Sequence, residues 1–89
     1  MIEHQTTIIN KLGLHARAAA KLVKAAANFQ SHIQLEVNQR TVNAKSIMGV
    51  MMLAASKGTQ VKLIIEGPDE SHALEALCIL IDNRFDEAE

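Results

Sequence analysis

Hydrophobic and polar side chains alternate without a break from His32 to Asn38: Ile33, Leu35 and Val37 fall on one side, His32, Gln34, Glu36 and Asn38 on the other. That two-residue period predicts a strand with one buried and one wet face. Thr6 to Ile9 is strand-like and extends a first strand starting near Ile2, and Val61, Leu63 and Ile65 mark another. A turn at Asn38-Gln39 followed by a short strand over 40–43 completes a hairpin.

The period changes from two to nearly four elsewhere. Ala19, Leu22, Val23 and Ala26 recur at i, i+3, i+4 and i+7 after Ala16, and two alanine triplets add helix propensity, with Asn28 as the stop. Ser46 is placed to cap a second helix running to about Ser56, ended by Gly58. Gly67-Pro68 is a turn, Asp69 is placed to cap a last helix with the stripe Leu74, Leu77, Cys78 and Ile81, and the acidic residues after Phe85 are expected to fray into solvent. The order βαββαβα, with one-faced strands, predicts an α+β sandwich: an antiparallel sheet with helices on a single side.

Composition narrows the function classes. The 89 residues make one domain, 1–89, with 48% hydrophobic residues and one proline. A single cysteine, Cys78, forms no internal disulfide, and the first residues have neither the basic start nor the apolar run of a secretory signal, so a cytoplasmic location is expected. The longest apolar run, 47–55, is too short for a bilayer. No histidine and carboxylate spacing fits a metal, and no cofactor is called for. With no tyrosine or tryptophan and only Phe29 and Phe85, an RNA-stacking module is disfavoured. Net charge is only −1, but its layout is uneven. Residues 1–62 hold eight basic side chains against Glu3 and Glu36, while 63–89 hold Arg84 against eight acids. The first two-thirds thus offers a positive surface to phosphate or to an acidic partner, and no nucleic acid or membrane is expected.

Three features carry candidate chemistry. His15 lies after the Gly13 loop and directly before a helix, where free amides and the helix dipole hold anions. A neutral imidazole there can attack phosphorus, and the helix amides and Arg17 can hold the phosphoryl charge. The bland reading of such a histidine is a helix cap, and His4, His32 and His72 read as solvated or structural. Next, the second helix is apolar all round, with Val50, Leu53 and Ala54 on one face and Ile47, Met48, Met51 and Met52 on the other. A small domain cannot bury both faces, so the methionine face is expected to dock partners, although a central helix with methionine filling gaps is the plainer alternative. Finally, Ser46 is both a helix cap and a place where phosphate would set negative charge beside that face.

Gly13-Leu14-His15-Ala16-Arg17 with its alanine-rich helix, and Lys45-Ser46-Ile47-Met48-Gly49-Val50-Met51, together resemble the active-site and regulatory segments of the HPr family, the histidine-containing phosphocarriers of the phosphotransferase system. The resemblance runs through essentially the whole chain. It implies an open-faced β-sandwich with strand order 1-4-2-3 and three helices on one face. It implies that His15 accepts phosphate through Nδ1 from enzyme I and passes it to enzyme IIA domains, with Arg17 stabilising the phosphate. It also implies Ser46 as a regulatory target of HPr kinase/phosphorylase. Ala16, Lys21, Lys24, Ile47, Met48, Met51 and Met52 are the partner-binding candidates, and a monomer is expected, since a carrier must dock and leave. Ala18 stands where the family commonly has proline, which returns one amide to the helix start. Met51-Met52 is bulkier than in many relatives, which leaves partner preference open. The alternatives are a nitrogen-branch carrier (NPr-like) with a regulatory role, or a purely regulatory binder acting through Ser46.

Overall fold

The computed structural model describes residues 1–89. Strands β1 (Ile2–Thr7), β2 (His32–Val37), β3 (Arg40–Asn43) and β4 (Gln60–Glu66) form one antiparallel sheet in the order β1-β4-β2-β3. Helices α1 (Ala16–Ala26), α2 (Ile47–Met52) and α3 (Glu70–Asp82) complete the chain, followed by a short turn at Arg84–Asp86. This is the expected α+β sandwich with strand order 1-4-2-3. No helix is long and apolar enough to cross a membrane.

Register explains the single core. Leu63 of the central strand β4 faces Leu35 on β2 and His4 on β1, and the inward rows Ile33, Leu35, Val37 and Val61, Leu63, Ile65 meet the helices. Ala18, Ala19, Leu22 and Ala26 from α1 and Ala73, Leu77 and Ile81 from α3 close that core. The alternation predicted for 32–38 thus placed its apolar face correctly. The hairpin turn is held by positive φ at Asn38 (51°) and Gln39 (68°), the mirror-image turn that suits the twist of paired strands.

Four expectations are revised. β1 ends at Thr7, yet Ile8 remains paired, because its amide bonds Thr59 O at 3.0 Å and its carbonyl accepts from Gly58 N–H at 2.7 Å. α2 ends at Met52 rather than near Ser56: Ala54 turns left-handed (φ 50°) and is exposed, so it belongs to no helix face. Asp69 precedes α3 but makes no side-chain cap. Its carboxylate instead takes the Gln30 and Ser31 amides (2.9 and 3.0 Å) and the Ser31 hydroxyl (2.5 Å), stapling the loop before β2 to the start of α3. The residues after Phe85 do not fray. Phe85 is fully buried, and the segment beyond it folds back over the start of α1.

Candidate phosphoryl-acceptor site

The site begins with a turn. Gly13 N–H donates to Asn10 O at 3.2 Å, with Gly13 at φ +67°. A Cβ at Gly13 would lie 2.4 Å from Ala55 O, so only glycine lets this loop press against the segment after α2. Leu14 N–H seals the approach by donating to Ala55 O at 2.8 Å. The loop carrying His15 and the segment following the methionine helix are therefore one hydrogen-bonded unit.

His15 is the N-cap of α1, with extended backbone (φ −72°, ψ 179°). Its Nδ1 accepts from Arg17 N–H at 3.3 Å, and its carbonyl accepts from Ala19 N–H at 2.8 Å. The cap expected on bland grounds and the nucleophile expected on chemical ones are thus the same atom's environment. The ring is half-buried, with Nε2 2.5 Å from Glu87 Oε2. Ala16 and Arg17 are exposed beside it, and Ala18 is fully buried against the core.

Sequence reasoning missed Glu87 and Asn10. Asn10 is fully buried, and its Nδ2 donates to Gly13 O at 2.8 Å and to Glu87 Oε1 at 3.0 Å. Both partners are acceptors, so the amide orientation is forced. Asn10 first, then His15 and the charge of Arg17, hold the Glu87 carboxyl below its ordinary value, against the opposing effect of burial. No local signal marks Glu87, since its contact with His15 spans 72 positions.

The other candidates divide. Lys21 is drawn inward, donating to Phe85 O at 2.8 Å with Asp86 at 3.8 Å, whereas Lys24 is exposed above the groove between α1 and α3. Arg17 and Lys21 join Lys11, Leu12, Asp86 and Glu87 around a depression beside His15. Ser46 caps α2 by accepting from Gly49 N–H at 3.2 Å. Gly49 lets the helix lie close to β3, where a Cβ would meet Val42 Cβ at 3.3 Å. Val50 is buried, while Ile47, Met48, Met51 and Met52 are 41, 70, 42 and 62% exposed, as the one-face argument required.

Comparison with known proteins identifies the family. The family profile described as PTS HPr component phosphorylation site matches residues 2–83. The phosphocarrier protein HPr of Cupriavidus necator is 60% identical over 89 residues, covering all of both chains. The crystal structure of HPr-C-His from Thermoanaerobacter tengcongensis superposes with a TM-score of 0.96 at 49% identity, again over all of both chains. A crystal structure of an HPr dimer from the same organism matches at a TM-score of 0.79 and 50% identity, over 98% of this chain and 100% of that one. The chain belongs to the HPr family, the phosphocarrier proteins of the phosphotransferase system.

Proposed function

We propose that His15 accepts a phosphoryl group through Nδ1 from enzyme I, charged by phosphoenolpyruvate, and donates it to a histidine of an enzyme IIA domain. The observation that carries this reading is the pair of contacts on the ring. An amide donor faces Nδ1 and a carboxylate faces Nε2, so the proton belongs on Nε2 and the lone pair on Nδ1. At 3.3 Å the amide contact is long, and the lone pair is released from it at little cost. The first-turn amides and Arg17 then have phosphoryl oxygens to bind. Because phosphoryl transfer is chiefly positioning and charge stabilisation, the partner-aligning surface matters as much as the nucleophile. The exposed face of Ile47, Met48, Met51 and Met52, with Ala16 and Lys24, supplies it. Lys21 supports that surface through its hold on the Phe85 carbonyl.

Ser46 fits regulation by HPr kinase/phosphorylase: a phosphate there would remain at a helix N-terminus yet repel an acidic partner from the adjacent methionines. The carrier works in the cytoplasm as a monomer, relaying to sugar-type or nitrogen-type enzyme IIA. Sedimentation at working concentration tests the monomer, and a stable dimer would overturn it.

The direct test is intact-protein mass after incubation with phosphoenolpyruvate and a trace of enzyme I. One acid-labile phosphate is expected on the wild type and none on His15→Ala. Equal labelling of both would remove His15 from the relay. Side-by-side transfer to the two enzyme IIA types assigns the branch.

A further inference from the structure

Glu87 has a fixed place that the relay as described does not use. Its carboxylate is shared between two donors, with Asn10 Nδ2 on Oε1 at 3.0 Å and the His15 ring on Oε2 at 2.5 Å. Asn10 is itself immobilised, because it is fully buried and its second amide proton is spent on Gly13 O at 2.8 Å. The backbone that delivers Glu87 is also fixed. Phe85 is buried in the core, Lys21 donates to its carbonyl, and Asn83 Nδ2 donates to Asp86 Oδ1 at 2.8 Å. A carboxylate held by a buried amide and directed at one ring nitrogen is the arrangement that orients a histidine.

We infer that Glu87, set by Asn10, is a positioning residue that keeps the proton on His15 Nε2 throughout phosphoryl transfer. This rests on the assignment of His15 as acceptor and extends it. In the transfer, the Nδ1 lone pair forms the new N–P bond while the donor's bond to phosphorus breaks and its electron pair returns to the donor nitrogen. No proton leaves His15, so the ring takes on positive charge, and the Glu87 carboxylate faces that charge across Nε2–H. With its proton retained the ring is a good leaving group. On donation, the N–P electron pair returns to Nδ1 and the neutral ring is restored. Without Glu87, the phosphorylated ring would shed the Nε2 proton to water and become a poorer donor.

Two measurements test this on the full chain. The first is proton NMR of the unphosphorylated protein with 15N-labelled histidine. A downfield, slowly exchanging Nε2–H resonance of His15 is expected in the wild type and is lost in Glu87→Ala. The second is single-turnover transfer from the phosphorylated chain to enzyme IIA. Glu87→Ala is expected to slow transfer roughly tenfold with half-saturation unchanged, as loss of one charge-assisted contact predicts. Glu87→Gln keeps an acceptor but no charge and should recover the resonance without the rate. An unchanged resonance in Glu87→Ala, or an unchanged rate in both variants, would overturn the inference. A wild type that takes up no phosphate would instead sink the relay, and the ring-proton result would still decide the contact.

Discussion

Single residues decide whether this site exists. Gly13 combines φ +67° with a Cβ position 2.4 Å from Ala55 O, so Gly13→Ala must push two loops apart. A loss of about 2 kcal/mol or more in urea unfolding is expected, since both the backbone region and the space are wrong for a side chain. Asp69 works at the opposite end of α1. The Ser31 hydroxyl, then the Gln30 amide, hold its carboxyl below the ordinary value of 3.8, as Asn10 and His15 hold Glu87 below 4.5. A folded value below the unfolded one stabilises the chain above the unfolded value, and the contribution disappears as pH falls through the folded one. Urea midpoints should therefore drop below roughly pH 4, and Asp69→Asn should shrink that acid-side drop while lowering the midpoint at neutral pH. An unchanged acid limb in Asp69→Asn would remove the staple as its cause.

At the level of elements, β2 and β4 were legible because each buries one face, and alternation records that directly. β1 and β3 bury no residue fully and were read from strand-like residue types and the hairpin turn instead. Helix α1 was legible too, as its buried residues keep the 3.6-residue period. Helix α2 was half legible. Its two faces follow from the sequence, but its end does not, because Ala54 adopts a left-handed conformation inside an unbroken apolar run. Nor was the role of Asp69, since the local cap lost to three donors on a different segment. The short helix makes a clean division of labour. Val50 is fully buried, so Val50→Ala should cost roughly 2 kcal/mol in urea unfolding. Met51 is only partly covered, at 42% exposure, so Met51→Ala should cost clearly less, under about 1 kcal/mol. Calorimetric titration with enzyme I should nevertheless show weaker binding. If Met51→Ala bound normally, the exposed face of α2 would not be the docking surface.

Across the whole molecule, the charge asymmetry read along the chain is partly undone by folding. The acidic last residues return to the basic site: Glu89 lies 3.3 Å from Lys11 and Asp86 3.8 Å from Lys21. Sequence could not show this, because the partners sit at opposite ends of the chain and each segment alone looks solvated. Such exposed pairs add little stability, about 0–1 kcal/mol each, but they dilute the field around His15. Asp86→Asn combined with Glu89→Gln should therefore speed association with an acidic partner and steepen its salt dependence, with little change in thermal stability. Stopped-flow association rates at several salt concentrations would read this. No change in on-rate would mean that the lysines, not their neutralisation, set the encounter.

The return of residue 87 to residue 15 also places the site in time. Synthesis runs from the N-terminus, so α1 and its histidine emerge from the ribosome long before the segment that holds the imidazole. The sheet cannot close sooner, because its central strand β4 arrives only with residues 60–66. A nascent chain thus displays a bare histidine on an unfinished scaffold. Its ring has no Glu87 to contact until residue 87 itself has been made. Readiness of the site is in this sense a checkpoint on completion: a truncated translation product stopping before residue 87 carries His15 without the carboxylate that faces its ring.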